Sequence, residues 1–426
     1  MSLGWGLLLV VGLAALGLPL FAVILAVALL GFHLADYDLI SVAVEFYRLG
    51  DLPGLMAIPL FTLSGYLLGE SGAPGRLVRL SNALLGWMPG GLAIVAIVAC
   101  ALFTAFTGAS GMTIVAIGAL LYPALRAAGY PERYSLGLVT SSGSLGLLFA
   151  PSLPLILYGF VAGQLNTQPV VTIEALFLAG IFPGLLMLVL LSVHAMWVAR
   201  ELPRQRTRLD RAEVGKALAD AGWELPLPFL VLGGIYTGVF TVSETAAITA
   251  LYIIVVSVFV KREITWKKLP SVMAESGRMV GAILVILGAA TAMSNWLVDQ
   301  EVPNQLFAMT REHVHSATAF LLVLNLLLLV AGMLMDIFSA VVILTPLLLP
   351  VAVGYGVHPV HFGIVMLANL QIGYFTPPVG MDLFIAAYRF KTDMLTLTRA
   401  CLPFFGVIGL SVAIITWWPW LSLVLL

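Results

Sequence analysis

Ser141-Ser142-Gly143-Ser144-Leu145-Gly146-Leu147-Leu148-Phe149-Ala150-Pro151-Ser152 lies inside an apolar segment long enough to cross a membrane. Four serines, two glycines and a proline do not continue a regular helix. Pro151 lacks an N–H and crowds the preceding turn. A break at membrane depth is tolerated only where the freed backbone is enclosed by protein. The pattern returns as Asn369-Leu370-Gln371-Ile372-Gly373-Tyr374-Phe375-Thr376-Pro377-Pro378. Aligned without gaps, Gly146 falls on Gly373 and Pro151 on Pro378. Paired interrupted segments in the two halves of a membrane protein point to a transporter's binding site.

The chain around these breaks is 61% hydrophobic and 10% charged over 426 residues. Its mean hydropathy is +1.08. A soluble domain carries about 25% charged residues, so the expectation is an all-α polytopic membrane protein. The net charge of −1 gives no electrostatic case for nucleic acid. Cys100 and Cys401 read as small buried hydrophobes. The N-terminal run has no basic leader and is too long for a cleaved signal, so it reads as a retained span.

In order, spans are expected at 4–31, 54–70, 172–198, 224–242, 243–260, 279–298 and 401–424. Residues 36–50 read as an interfacial amphipathic helix. GGLAIVAIVACALFTAF (90–106) and MTIVAIGALLYPAL (112–125) flank Thr107-Gly108-Ala109-Ser110-Gly111. Each arm is shorter than the ~20 residues a span needs, which predicts a re-entrant hairpin. A second hairpin is expected over 317–333 and 337–353, around Met333-Leu334-Met335-Asp336. Residues 135–163 and 361–388 carry the breaks.

Charge bias supports this parse, because cytoplasmic loops are rich in Lys and Arg. With the hairpins returning and the broken segments crossing, the basic loops at 76–79, 126–133, 200–216, 261–268 and 389–391 share one side. The result is nine crossings and an inverted-topology repeat, 1–198 against 243–426, with 224–242 as the inverting span. The expected division is scaffold at 1–89, 164–316 and 392–426, and a transport domain at 90–163 and 317–391.

At the breaks, carbonyls and hydroxyls are hard donors suited to a small cation, and helix N-termini suit an anion. The candidate sodium ligands are Gly108, Ser110, Ser142, Ser144, Asp336, Ser339 and Thr376, with Thr107 beside them. The candidate substrate contacts are Ser141, Pro151, Ser152, Asn369, Gln371, Pro377 and Pro378. Asp336, an intramembrane carboxylate, is the sharpest single residue. The competing reading is that small polar residues glue transmembrane helices together. Asp382 follows the second break and is read either as similar or as facing solvent. Glu244 follows Thr241 as an ordinary capping residue would. The histidines at 313, 315, 358 and 361 match no strong metal pattern, and no P-loop, HExxH or GxSxG occurs. The chain therefore reads as a carrier without cofactor, not an enzyme.

FTGASGMTIVAIGALLYPALRAAGY (106–130) and SSGSLGLLFAPSLPLILYG (141–159) resemble the large membrane subunit of the tripartite ATP-independent periplasmic (TRAP) transporters. So do MAIPLFTLSGYLL (56–68), GMLMDIFSAVVILTPLLLP (332–350) and NLQIGYFTPPVGMDLFIA (369–386). The resemblance covers nearly the whole chain. It implies a bacterial inner-membrane protein working with a separate small membrane subunit and a periplasmic substrate-binding protein. It also implies sodium-driven uptake of an organic anion and an elevator-type transport domain amid membrane lipid. One departure is Ala150-Pro151-Ser152, one proline fewer than the family usually has there, which implies a slightly changed bend. The alternative is a stand-alone sodium/anion symporter of the same broad superfamily.

Overall fold

A computed structural model describes residue 12 and residues 17–51, 54–165, 167–201 and 210–426. The first part of the expected span 4–31, and Arg204, Arg206 and Arg208 of the basic stretch, lie outside the described residues.

In chain order the α-helices are α1 (Leu20–Leu34), α2 (Ile40–Arg48), α3 (Ala57–Glu70), α4 (Ala73–Leu85), α5 (Gly91–Thr107), α6 (Ser110–Ala127) and α7 (Glu132–Ser142). They continue as α8 (Leu153–Gly163), α9 (Ile173–Ala179), α10 (Ile181–Val198), α11 (Arg211–Asp220), α12 (Pro226–Tyr236), α13 (Val242–Ile254) and α14 (Leu269–Asp299). The last are α15 (Val302–His313), α16 (Ala317–Leu334), α17 (Ile337–Gly354), α18 (Pro359–Gly373), α19 (Met381–Phe390), α20 (Met394–Trp417) and α21 (Trp420–Leu423). No strand occurs among the described residues.

Local chemistry sets these boundaries. Asp393 accepts from the Thr396 N–H at 2.8 Å and Ser316 from that of Ala319 at 3.1 Å. Such caps contribute about 1 kcal/mol each. Thr241 and Glu244 form a reciprocal capping box, as the capping reading of Glu244 expects. Gly108 ends α5 in the left-handed region at φ 64°, where a side chain would be strained.

Among the described residues seven helices are long and apolar enough to cross a membrane, and the bent pair spanning Glu132–Gly163 makes an eighth candidate. Three of the seven are arms of the expected hairpins, α6, α16 and α17, so arm length does not separate a hairpin from two spans. The expected span 224–242 is replaced by α12, of 11 residues. At about 1.5 Å per residue it covers roughly half of a hydrocarbon core. It ends early because Gly238 turns left-handed and Thr241 starts the next helix. The basic loop at 76–79 is the helix α4, and α15 occupies the expected outer loop. Both are short helices whose charges masked their periodicity. The sequence-expected breaks are present. The first is bent by 43° around a 3-10 turn at Leu145–Leu148. The second leaves residues 374–380 outside any helix.

The order of elements repeats with a fixed spacing. α5, α6 and α8 end at Thr107, Ala127 and Gly163, and α16, α17 and α19 end at Leu334, Gly354 and Phe390. Each pair differs by 227 positions (334 less 107, 354 less 127, 390 less 163). Packing repeats too. A Cβ on Gly146 would collide with the backbone of Ala101 and Ala105 in α5, and one on Gly373 with the backbone of Gly332 in α16. Gly146 and Gly373, like Ala105 and Gly332, are related by the same spacing. Burial does not repeat. Leu157 and Val161 of α8 are 1% and 6% exposed, whereas Phe384 and Tyr388 at the matching places of α19 are 51% and 91% exposed.

Two packing neighbourhoods result. α1, α2, α3, α13 and α14 pack on one another. The hairpins and broken helices form the other, and α9, α10 and α20 belong with it. Gly180 and Gly184 seat against Leu148 and Phe149, and Gly137 against the Ala400 carbonyl. This packing differs from the sequence-based division, which put 172–198 and 401–424 with the scaffold. Uniform hydrophobicity does not distinguish lipid contact from contact with a buried break. The neighbourhoods meet where Gly65 of α3 takes the backbone of Thr107 and where α14 meets α17. A crevice lined by Val161, Gln164, Leu287, Thr291, Ser294 and Pro346 lies at that boundary, and none of its lining residues belongs to either break.

Candidate functional site

The first hairpin is closed by hydroxyls. Thr104 and Thr113 face each other across it at 2.6 Å, and Thr104 reaches the Gly143 carbonyl at 2.6 Å. One hydroxyl has one proton, so Thr104 donates to Gly143 and accepts from Thr113. The hairpin is thereby tied to the carbonyl freed where α7 ends. Beyond it, Ser142, Ser144 and Ser152 are fully buried and their Oγ atoms have no hydrogen-bond partner among the described residues. Ser141 spends its hydrogen on the Gly137 carbonyl at 2.7 Å.

The second hairpin is held by its own break. The Ile337 N–H donates to the Tyr374 hydroxyl at 2.5 Å, the Gly380 N–H to the Met333 carbonyl at 3.1 Å, and the Asp382 N–H to the Tyr374 carbonyl at 2.9 Å. Asp336 caps α17, accepting from the Phe338 and Ser339 N–H groups at 3.0 Å and from the Ser339 hydroxyl. Its two oxygens are thus already engaged.

The two halves meet at Asp382. The Ser110 hydroxyl of the first tip donates to Asp382 Oδ1 at 2.7 Å across 272 positions. Asp382 is fully buried and its Oδ2 has no partner among the described residues. Among the described residues it has no ion pair. A carboxylate taken from water without a counter-charge costs several kcal/mol. Asp382 is the residue that sequence reasoning left undecided. Its position in the first turn of α19 looks like ordinary helix chemistry, and only the fold brings Ser110 to it.

The other candidates divide. Gln371 is fully buried with both amide atoms unpartnered. Asn369 instead donates to Asn325 Oδ1 at 2.7 Å, where the Thr416 hydroxyl also donates, so it links α18 to α16 and α20. Thr376 bonds back to the Ile372 carbonyl. Pro151 is buried, while Pro377 and Pro378 are exposed. The bonds preceding Pro151 and Pro378 are both cis. No group of three or more His, Cys, Asp or Glu is placed to hold a metal among the described residues.

Residues 7–421 match the tripartite ATP-independent periplasmic transporter, DctM component. The chain belongs to this family. It is a multi-pass membrane transporter subunit, the large TRAP permease. It is 35% identical over 390 residues to the C4-dicarboxylate TRAP transporter large permease protein DctM of Pseudomonas aeruginosa, covering 90% of this chain and 89% of that one. It is 36% identical over 415 residues to the isethionate TRAP transporter permease protein DctMQ of Oleidesulfovibrio alaskensis, covering 97% of this chain and 63% of that one. The Alcanivorax borkumensis YdaH transporter shares the fold, with a TM-score of 0.59 at 16% identity, over 89% of this chain and 87% of that one.

Proposed function

We propose that this permease couples sodium entry to the uptake of a small organic anion bearing a carboxylate. The relatives' C4-dicarboxylates are the leading class. The anion is handed over by a periplasmic binding protein, and a small membrane subunit completes the transporter in the inner membrane. The observation that carries the reading is Asp382, a buried carboxylate with no protein cation, bonded to Ser110 of the other half. A sodium ion supplies the missing charge. Asp382 with Ser110, Gly108 and the orphan hydroxyls of Ser142 and Ser144 suits that task better than Asp336, whose oxygens cap α17. Ser339 remains beside the second tip and Thr376 at the second break. Among the described residues no Lys or Arg is buried near the breaks, so the anion is held by helix N-termini, Ser152 and Gln371.

The halves form an inverted repeat around this site, with both hairpins re-entrant. The moving body is α5 to α10 with α16 to α20, which carries the site past the scaffold of α1 to α3, α13 and α14. The unequal burial of α8 and α19 fits a unit turned toward the side of Arg389 and Lys391. A stand-alone symporter is the second reading, and uptake without a binding protein would favour it.

Proteoliposomes given a C4-dicarboxylate-loaded binding protein test the function. Uptake should rise with an inward sodium gradient and not with a matched potassium gradient, and Ser110→Ala should weaken it. Equal uptake under both gradients refutes sodium coupling.

A further inference from the structure

Away from the breaks, a charged knot joins three distant segments. Arg76 stands in the first turn of α4, the helix that leads from α3 into the first hairpin. Its side chain is 11% exposed. Nε and Nη2 donate to Glu224 Oε1 at 2.9 and 2.5 Å, Nη2 also to Glu263 Oε2 at 3.2 Å, and Nη1 to Glu263 Oε1. Glu263 Oε2 also accepts from the Gly72 N–H at 2.8 Å, at the start of α4. Glu224 lies just before α12. Glu263 follows a π-helical segment at Val255–Val260, and its N–H is fixed to the Ser257 carbonyl at 2.9 Å. Burial pushes the Glu263 carboxyl up. The bonds from Arg76 and Gly72 together with the Arg76 charge outweigh it and hold the group below its ordinary value.

Beyond the other end of α4, the chain turns where α5 begins. Gly90 sits at φ 74° with the Ala195 carbonyl 3.0 Å from where its Cβ would be. The equivalent helix of the second half is anchored differently. Among the described residues α15 makes no ion pair. It is tied by aromatic contact to its own hairpin: Phe307 packs on Tyr355, Tyr355 stacks on Phe320 at 4.4 Å, and the Tyr355 hydroxyl donates to the Val314 carbonyl.

We propose that Arg76 is a positioning residue for transport. By clamping the start of α4 to Glu224 and Glu263 it fixes the point about which the first hairpin swings, while α15 travels with the second hairpin. The proposal rests on the transport reading above. It assigns unequal tasks to two helices that the repeat makes equivalent.

Arg76→Gln alone strands two carboxylates and is expected to lower folding yield. The decisive variants are therefore Arg76→Lys and the neutral triple Arg76→Gln/Glu224→Gln/Glu263→Gln, assayed by the proteoliposome uptake described above. A lysine ammonium cannot form the planar fork that spans both carboxylates. Both variants should keep the sodium half-saturation within about twofold of the wild type, and the maximal rate should fall about tenfold in the triple and less in Arg76→Lys. A wild-type maximal rate in either variant overturns the proposal. So does a tenfold shift in sodium half-saturation that accounts for the lost rate, since that places the effect at the ion site. Absence of sodium stimulation in the wild type sinks the transport reading instead.

Discussion

Asp382→Asn tests the site most directly, because its sign depends on whether an ion is bound. The substitution keeps the shape and an acceptor for Ser110 but removes the charge. Without sodium it relieves an unpaired buried carboxylate, a penalty of several kcal/mol. Against this stand an unpartnered amide N–H, about 1–3 kcal/mol, and the loss of charge assistance in the 2.7 Å bond from Ser110, about 1 kcal/mol. The variant in potassium should therefore be as stable as the wild type or more so. In sodium at a hundredfold its Kd the wild type gains about 2.7 kcal/mol by mass action. At roughly 2 °C per kcal/mol that is on the order of 5 °C in Tm, and the variant should gain none. Thermal unfolding of both proteins in NaCl and KCl at equal ionic strength measures the difference. A full sodium-induced shift in Asp382→Asn refutes the assignment, and so does a large destabilisation in potassium.

The close approaches give a second expectation. Gly373→Ala forces α16 from the broken helix through a backbone clash, so Tm should fall by the equivalent of about 1–3 kcal/mol. Gly146→Ala should behave alike, whereas Gly406→Ala, with open space around it, should be near neutral in a melting assay. Cysteines near Lys267 should be labelled only from the cytoplasm and one near Asn304 only from outside. Labelling of both from one side would overturn the topology. A cysteine replacing the exposed Tyr388 should lose reactivity when the unit is trapped in its opposite position, while one replacing the buried Val161 gains it.

Glycine, serine and proline made the breaks and hairpins legible, because at membrane depth such residues have few other uses. The same reading singled out Ser142, Ser144 and Gln371 as candidate ligands, and the fold leaves them without partners among the described residues. Asp336 drew attention by being an acid between apolar arms, yet its capping of α17 is visible only with the backbone in place. Asp382 stayed undecided between a buried and a solvent-facing carboxylate, since its partner Ser110 is distant in sequence. α4, α11 and α15 escaped because short helices carrying charges look like loops. The placement of α10 and α20 against the breaks depends on glycine seats such as Gly180 and Gly137, which hydropathy does not register.

The constant spacing bears on how the chain tolerates change in length. From the end of α5 to the end of α8 the two halves stay in step, with no residue gained or lost. Immediately afterwards they fall out of step: α8 ends at Gly163 and α9 begins at Ile173, whereas α19 ends at Phe390 and α20 begins at Met394. The slack lies wholly in surface connections, where extra residues add little closure cost. Inside the matched stretch the first tip must reach Asp382 beyond the second break and the second tip must reach Tyr374 and Gly380 of its own break, so a single inserted residue would rotate every later contact by about 100° around its helix. Insertions are therefore expected to survive at 164–172 and to fail anywhere within α5 to α8. The two halves keep one register from the end of α5 to the end of α8 and lose it in the connections that follow.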